Sequence, residues 1–191
     1  MVAKYLSCAD TAKMVRQALK EAFPGVKFSV RSDTYSGGAS INVRWIDGPN
    51  GAQVEAVAKT FQGAYFDGSQ DYQGNTYAML DGQVVNFGAD FIFCNRDYSD
   101  AFVEAAIGAV FRRYAGNLKE VQRPTAEDWK AGRCCYIHVV GNYDLRDLIW
   151  QQLAKRSDRL KVEQSKTAGR VIYLGNDGYS DIGALNAEAL A

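Results

Sequence analysis

The sequence predicts an α+β fold, with a mostly antiparallel sheet, helices packed on one face and a C-terminal β-α-β extension. Three observations predict it. Apolar residues recur at helical spacing in separate segments, they alternate with polar residues from Val26 to Trp45, and Asp81-Gly82 separates two further apolar runs like a tight hairpin. With 191 residues, of which 47% are hydrophobic, the chain can bury its own core.

The first predicted element is a helix that begins after Ser7. Ser7 is followed three residues later by Asp10, as in a capping box, and Pro24-Gly25 ends the segment. The apolar side of this helix is formed by Ala12, Val15, Leu19, Ala22 and Phe23.

Two half-buried strands follow and form an amphipathic hairpin. Apolar residues alternate with polar ones from Val26 to Val30 and again from Ile41 to Trp45, so one side of each strand is predicted to be buried. The segment from Ser32 to Ala39 is predicted to be a long loop between them.

A helix and a second hairpin come next. Asp47-Gly48-Pro49-Asn50 is turn chemistry that leads into a helix closed by Gly63. Asp81-Gly82 then joins predicted strands at residues 76–80 and 84–87.

The remaining elements divide the chain into two predicted parts. A strand over Asp90 to Asn95 is followed by a helix that Ser99 caps and that we expect to pack on the sheet. The polar segment from Gly116 to Ala131, weakly helical from about Thr125, is the candidate linker. The predicted domains are therefore 1–115 and 116–191, and the alternative is that both form one domain.

The C-terminal part is predicted to have the order strand, helix, strand. Cys134 to Val140 forms the first strand and Val171 to Leu174 the last. The helix between them presents Leu145, Leu148, Ile149 and Leu153.

Charge gives only a partial indication of partners. Lys plus Arg and Asp plus Glu total 22 each, so no overall basic excess requires nucleic acid or a membrane. Residues 111–170 contain 13 basic and 7 acidic residues. This local excess favours a solvated helical face, but it also suits a nucleic-acid or acidic partner.

The N-terminus lacks the apolar core of a signal peptide, and no apolar run has the length of a membrane span. We therefore expect a cytoplasmic protein without a membrane partner. Cys8, Cys94, Cys134 and Cys135 have no disulfide or zinc spacing and are predicted to be reduced thiols, mostly small core residues.

Catalytic and metal chemistry find little support. On one strand, Cys134 and the single histidine, His138, would lie roughly 13 Å apart, too far for a dyad. The segment that begins with Asp67 to Asp71 lacks the glutamate that a calcium loop requires at its twelfth position. The EF-hand pattern over Asp177 to Glu188 has that glutamate, but Tyr179 occupies position three and Ile182 replaces the glycine required at position six. Turn and capping roles are expected for these aspartates, and no cofactor or metal is predicted.

The polar face of the first hairpin is the candidate binding surface. It presents Lys27, Ser29, Arg31, Ser40, Asn42 and Arg44, with no acid among them. The loop adds an exposed Tyr35 and two glycines, Gly37 and Gly38, that can bring backbone N–H groups close to an anion. An ordinary solvated sheet face would carry the same residues, so both interpretations stay open.

A series of short motifs occupies most of residues 10–111. They are Ala22-Phe23-Pro24-Gly25-Val26-Lys27-Phe28-Ser29-Val30-Arg31-Ser32-Asp33, Ser36-Gly37-Gly38, Val43-Arg44-Trp45 with Asp47-Gly48-Pro49, Phe66-Asp67-Gly68 with Asp71, and Phe87-Gly88-Ala89-Asp90-Phe91-Ile92-Phe93 with Arg96 and Ser99. In this order and density they resemble one of the large polyvalent protein-associated domains. Arg96 of the last motif joins the predicted binding residues Lys27, Arg31, Tyr35, Gly37, Gly38 and Arg44.

The resemblance implies a context rather than a catalytic mechanism. Similar domains are modules of phage and conjugative-element proteins that are thought to travel with or act on incoming DNA and to blunt host defence. The expected function is therefore a non-enzymatic binding or accessory protein of a mobile genetic element, of the anti-restriction or anti-CRISPR type. Its partner would be a host defence protein or nucleic acid. The alternatives are an enzyme with an unrecognised carboxylate or cysteine site and an inert structural subunit.

Overall fold

The computed structural model of the chain describes residues 3–159 and 161–177. Within these residues five α-helices and ten β-strands occur, which confirms the α+β class. Two compact units are present. Among the described residues, the first comprises 3–45, 51–95 and 161–177, and the second comprises 46–50 and 96–159. These units interleave along the chain, and the division into domains 1–115 and 116–191 stays a prediction.

The first unit begins with helix α1, Cys8–Ala22, as predicted. The Ser7 hydroxyl accepts the N–H of Asp10 and caps the helix, and a turn at Pro24 and Gly25 follows its end. The apolar side of α1 is buried in the hydrophobic core of the first unit, which we call the first core. The inward-facing side chains of the three-stranded sheet, described next, are part of the same core.

A three-stranded sheet contains the predicted hairpin. Its strands are β2, Ser29–Tyr35, β3, Gly38–Ile46, and β7, Phe91–Asp97, with β3 in the middle. β2 and β3 are antiparallel, and Val30 pairs with Val43 on the core side. β3 and β7 run in the same direction, because the Asp90 N–H donates to Ala39 O near their starts and the Asp47 N–H donates to Asp97 O at their ends.

The prediction of a long loop from Ser32 to Ala39 between the hairpin strands is wrong. Both strands continue until only Ser36 and Gly37 remain as a turn. Gly37 has a φ of 92°, a conformation that a β-carbon disfavours, so glycine allows this tight connection. The polar residues that suggested a loop instead lie on a strand at the edge of a sheet, where they are exposed.

A five-stranded sheet completes the first unit. Four strands lie in the order β1, β6, β5, β10, and β4 also pairs with β5. Asp81 and Gly82 both have positive φ and form the predicted two-residue hairpin turn. The bounds of the strands are β1 Lys4–Leu6, β4 Ala64–Asp67, β5 Tyr72–Leu80, β6 Gln83–Phe87 and β10 Val171–Asn176.

Along the chain, β3 is followed by helix α2, Gly51–Ala58, and by one 3₁₀ turn, Lys59–Phe61. Gly63 then passes so close to the end of β6 that a β-carbon would lie 1.7 Å from the carbonyl oxygen of Phe87. Glycine is therefore required there. Strand β4, which the sequence did not predict, ends at Asp67, whose carboxylate accepts the N–H and hydroxyl of Ser69 in a turn of the expected kind.

The second unit is mainly helical. α3, Asp100–Arg113, was expected to pack on the sheet, but its apolar side packs on α4, Ala126–Lys130, and α5, Leu145–Lys155. Ser99 caps α3, as the sequence predicted. Thr125 caps α4, which begins where the sequence predicted a weakly helical segment. The predicted helix at α5 is confirmed, with all four of its expected apolar residues buried.

The prediction of a strand over Cys134 to Val140 is wrong for most of its length. Residues 131–136 form turns, and Tyr136 has a φ of 69°, which a regular strand does not allow. Only β8, His138–Val140, remains, paired with the short β9, Tyr143–Asp144. The order strand, helix, strand is as expected, although β10 joins the five-stranded sheet and β8 does not.

None of the helices in the described part of the chain combines the length and the apolarity that a membrane crossing needs. Most of the calcium-like pattern from Asp177 to Glu188 lies outside the described residues.

Candidate binding face of the three-stranded sheet

The outer face of the three-stranded sheet carries most of the predicted binding residues. Arg31 lies opposite Asn42 in the antiparallel pair. Ser29 lies opposite Arg44, and this places the two arginines diagonally, at a typical separation of about 7–8 Å. Lys27 is exposed just before β2.

We define the outer face as the side chains of β2, β3 and β7 that point away from the first core. On β7, Ile92 is buried and Cys94 packs against that core, so the odd-numbered residues point outward. Within the first unit, the outer face consists of Ser29, Arg31, Asp33, Tyr35, Gly38, Ser40, Asn42, Arg44, Phe91, Phe93 and Asn95. The next outward positions of β3 and β7, Ile46 and Asp97, belong to the second unit and are not counted in the face.

The cations of this region have no carboxylate partner in the part of the chain that the structure describes. Lys27, Arg31 and Arg44 are exposed, and among residues 3–159 and 161–177 none of the three forms an ion pair. Guanidinium groups that are held by no internal carboxylate can bind phosphate or carboxylate groups of a partner.

The expectation that the face carries no acid is wrong. Because β2 continues to Tyr35, Asp33 lies on the same face, opposite the buried Ser40. The outer face is therefore polarised, with its cations toward Ser29 and Arg44 and its acid toward the turn.

The glycine turn already has an internal anion. One Asp90 carboxylate oxygen accepts the backbone N–H of Ala39 at 2.8 Å. A β-carbon on Gly38 would lie 2.7 Å from that oxygen and 3.1 Å from the ring of Tyr35. Gly38 therefore lets a carboxylate and an aromatic ring approach the backbone, and the proposed capture of an external anion at Gly37 and Gly38 stays a prediction.

Two aromatic residues of the outer face were missed by the sequence analysis. Phe91 and Phe93 are neighbours on one side of β7, with ring centroids 6.3 Å apart. Phe93 is 49% exposed, as is Tyr35 on β2. The alternation Phe-Ile-Phe-Cys-Asn was the available signal, but both of its sides begin with large apolar residues, so it did not indicate which side is buried.

Arg96 has a different environment from the other predicted residues. It belongs to the second unit, where its guanidinium donates to the carbonyl oxygens of Asp47, Gly48, Leu153 and Arg156 at 2.8–3.1 Å. The rings of Tyr98 and Phe102 lie 5.3 and 4.7 Å from its central carbon. Burial lowers the pKa of Arg96. These contacts tie together three segments of the second unit, so Arg96 has a structural role whether or not it binds a partner.

The basic segment 111–170 contains several ion pairs. In the second unit Arg123 pairs with Glu104, Lys130 with Asp100, and Arg133 with Asp128 and Glu127, at 2.6–3.4 Å. In the first unit Arg170 pairs with Asp81. These internal pairs reduce the positive charge that the segment can offer to a partner.

Three of the four thiols, those of Cys8, Cys94 and Cys134, are poorly placed for nucleophilic chemistry. Burial raises the pKa of the Cys94 thiol to about 12, and it also raises the pKa values of Cys8 and Cys134. A thiol held in its protonated form is a weak nucleophile. His138 is exposed on β8 while Cys134 is buried, and within the described residues no three acidic, histidine or cysteine side chains cluster as a metal site.

A cavity of about 360 Å³ lies in the first unit and is lined mainly by apolar groups. Its polar groups are largely used internally. The Thr76 hydroxyl donates to Gln62 O at 2.6 Å, the Gln62 amide donates to Ala64 O at 2.9 Å, and Lys59 pairs with Glu55. The convergent free polar groups typical of a catalytic pocket are therefore not formed by these residues.

Comparison with known proteins gives one match. No curated protein matches the chain, and no solved structure matches it. The family model of Large polyvalent protein associated domain 29, LPD29, matches residues 6–99. This range contains α1, α2, the whole three-stranded sheet and strands β4 to β6, so it includes the outer face. The resemblance inferred from the sequence motifs is thus confirmed, and residues 6–99 match Large polyvalent protein associated domain 29.

Proposed function

We propose that the chain is a non-enzymatic binding protein of a phage or other mobile genetic element, and that it counters a host defence by binding an anionic partner on the outer face. The observation that carries this proposal is the set of three exposed cations, Lys27, Arg31 and Arg44, without ion pairs in the described part of the chain. Arg31 and Arg44 lie on a regular sheet surface and Lys27 lies just before β2, all within the segment that matches LPD29.

The geometry supports binding more than catalysis. A sheet holds side chains at fixed spacing, so Arg31 and Arg44 are presented together without the conformational cost of ordering a loop. Flat polar surfaces of this kind recognise partners by charge complementarity. The association with large polyvalent proteins supports a role in the entry or protection of a mobile element.

Affinity capture tests the face. Wild-type chain is compared in bacterial extract with Arg31→Glu plus Arg44→Glu, and with the control Lys20→Glu plus Lys166→Glu. The control reverses two exposed charges of the same unit outside the face. We expect a partner that the control retains and the face variant loses. Recovery of the same partners by all three proteins would refute binding through the outer face.

A plating assay tests the defence role. Cells that carry a restriction or CRISPR system are infected with a sensitive phage while they express each of the three proteins. We expect wild-type chain and the control to raise plating efficiency and the face variant to lose this effect. An equal plating efficiency with and without wild-type chain, across the defence systems tested, would refute the anti-defence role.

A further inference from the structure

Aromatic rings and cations share the outer face, and this combination selects one kind of anionic partner. Phe93 and Tyr35 are each 49% exposed, and Phe91 lies next to Phe93 on the same side of β7. Arg44 lies on β3, the strand next to β7, and Arg31 lies on β2 beyond it.

Proteins that bind single-stranded nucleic acid combine these two features. Bases stack on aromatic side chains while a positively charged surface follows the phosphates. A sheet that presents two or three rings can stack two or three bases of an unpaired strand, whereas the bases of a duplex are already stacked on one another. Rings are therefore useful to a partner whose bases are free.

The outer face also offers groups that can contact base edges. Asn42 on β3 and Asn95 on β7 point to the same side as the rings. Side-chain amides donate and accept hydrogen bonds, as base edges do. Neither Asn42 nor Asn95 lies at the acidic end of the face, which Asp33 occupies next to the turn.

We infer that the outer face binds single-stranded nucleic acid, with Phe91 and Phe93 stacking on bases and with Arg31, Arg44 and Lys27 contacting phosphates. This inference rests on the proposed function, because it names the anionic partner of the same face. The rings lie on β7 and the arginines on β3 and β2, so the strand would cross the sheet from β7 toward β2.

The test uses the full chain and a fluorescein-labelled oligothymidine of about 12 nucleotides, a length within the site size of small single-strand binders. Fluorescence anisotropy measures binding at several salt concentrations between about 50 and 200 mM. We expect binding that weakens with salt and that is tighter than binding to a duplex of the same length.

Variants of one ring test the stacking. We expect Phe93→Ala to weaken binding of the oligothymidine about tenfold and Phe93→Tyr to retain it. Phe66→Ala is the matched control, since Phe66 is 56% exposed on β4 of the other sheet, and we expect it to bind like wild type. Thermal melting of each variant checks that the fold is retained.

Variants of the cations test the phosphate contacts. We expect Arg44→Gln to weaken binding and to reduce the salt slope by about one. Lys20→Gln, at the end of α1, is its control and should leave both quantities unchanged.

Three results would overturn the inference. They are no binding of the oligothymidine at low salt, equal binding by folded Phe93→Ala and wild type, and a duplex bound as tightly as the single strand. If the capture experiment still finds a protein that depends on Arg31 and Arg44, the proposed function stands and only the nucleic-acid inference fails. If both experiments fail, the outer face is not the binding site.

Discussion

Arg96 in the second unit and the pair Arg31 and Arg44 in the first unit show two uses of the same side chain. The guanidinium of Arg96 donates to four backbone carbonyl oxygens and lies beside two aromatic rings. Arg31 and Arg44 are exposed on a sheet and form no ion pair with any described residue. An arginine with four of its five N–H donors bonded to the backbone stabilises the fold, while an arginine with free donors is available to a partner.

Removal of Arg96 has the largest expected effect. We expect Arg96→Ala to lower the free energy of unfolding by about 3 kcal/mol, because four carbonyl oxygens lose a charged donor. Urea denaturation followed by circular dichroism measures it. Arg96→Lys should recover less than half of the loss, since an ammonium cannot reproduce the guanidinium fork. A loss below about 1 kcal/mol for Arg96→Ala would contradict the structural role.

Asp90 holds the start of β3 through a hydrogen bond from the Ala39 N–H, and its replacement should have an intermediate effect on the free energy of unfolding. We expect Asp90→Ala to destabilise the protein by about 1–2 kcal/mol, because the Ala39 N–H loses its carboxylate acceptor. Asp90→Asn keeps an acceptor oxygen and should cost less. Thermal melting of wild type and of the two variants measures these losses. Equal melting temperatures for Asp90→Ala and wild type would show that this contact is not needed to hold the hairpin.

Glu21 links α1 to the segment that precedes β10 and makes stability depend on pH. The N–H of Thr167, with the Gln17 amide and the Ser165 and Thr167 hydroxyls, lowers the pKa of Glu21 from 4.5 to about 2. A lowered folded-state pKa gives stability that is present above pH 4.5 and is lost as pH falls toward 2. After allowance for solvent screening we expect a loss of about 1 kcal/mol.

Glu21→Gln tests this dependence. Urea denaturation at pH 6, 4 and 3 should show a smaller loss of stability on acidification for Glu21→Gln than for wild type. Glu120→Gln, an exposed control in the second unit, should follow wild type. Identical pH profiles for all three proteins would contradict the assigned contacts.

The outer-face arginines should have the smallest effect on stability. We expect Arg31→Ala and Arg44→Ala each to change the free energy of unfolding by less than about 0.5 kcal/mol, because they have no ion pair to lose within the described part of the chain. The same urea titration measures this. A loss near that of Arg96→Ala would remove the contrast between the two regions.

Local signals predicted much of the fold. The cap at Ser7, the turn at Asp81-Gly82 and the helix at Leu145–Lys155 depend on residues a few positions apart, and all three are confirmed. The alternation from Val26 to Trp45 predicted correctly which side of the hairpin is buried, except that Ser40 on the other side is buried as well.

Long-range contacts were beyond the reach of such signals. The partners of Arg96 come from residues 47–48 and 153–156, so its sequence context resembled that of an exposed arginine. Asp90 bonds to Ala39 across 51 positions. Phe91 and Phe93 join the outer face only because β7 pairs beside β3, a pairing that no local pattern in the sequence specifies.

The late position of β10 has a consequence for synthesis on the ribosome. β10 pairs with β5 along residues 76–80, yet it is made about 90 residues after β5 ends. At about 5–20 residues per second, that edge of β5 emerges several seconds before its partner exists. During this interval the nascent first unit presents an open strand edge to which other chains can add.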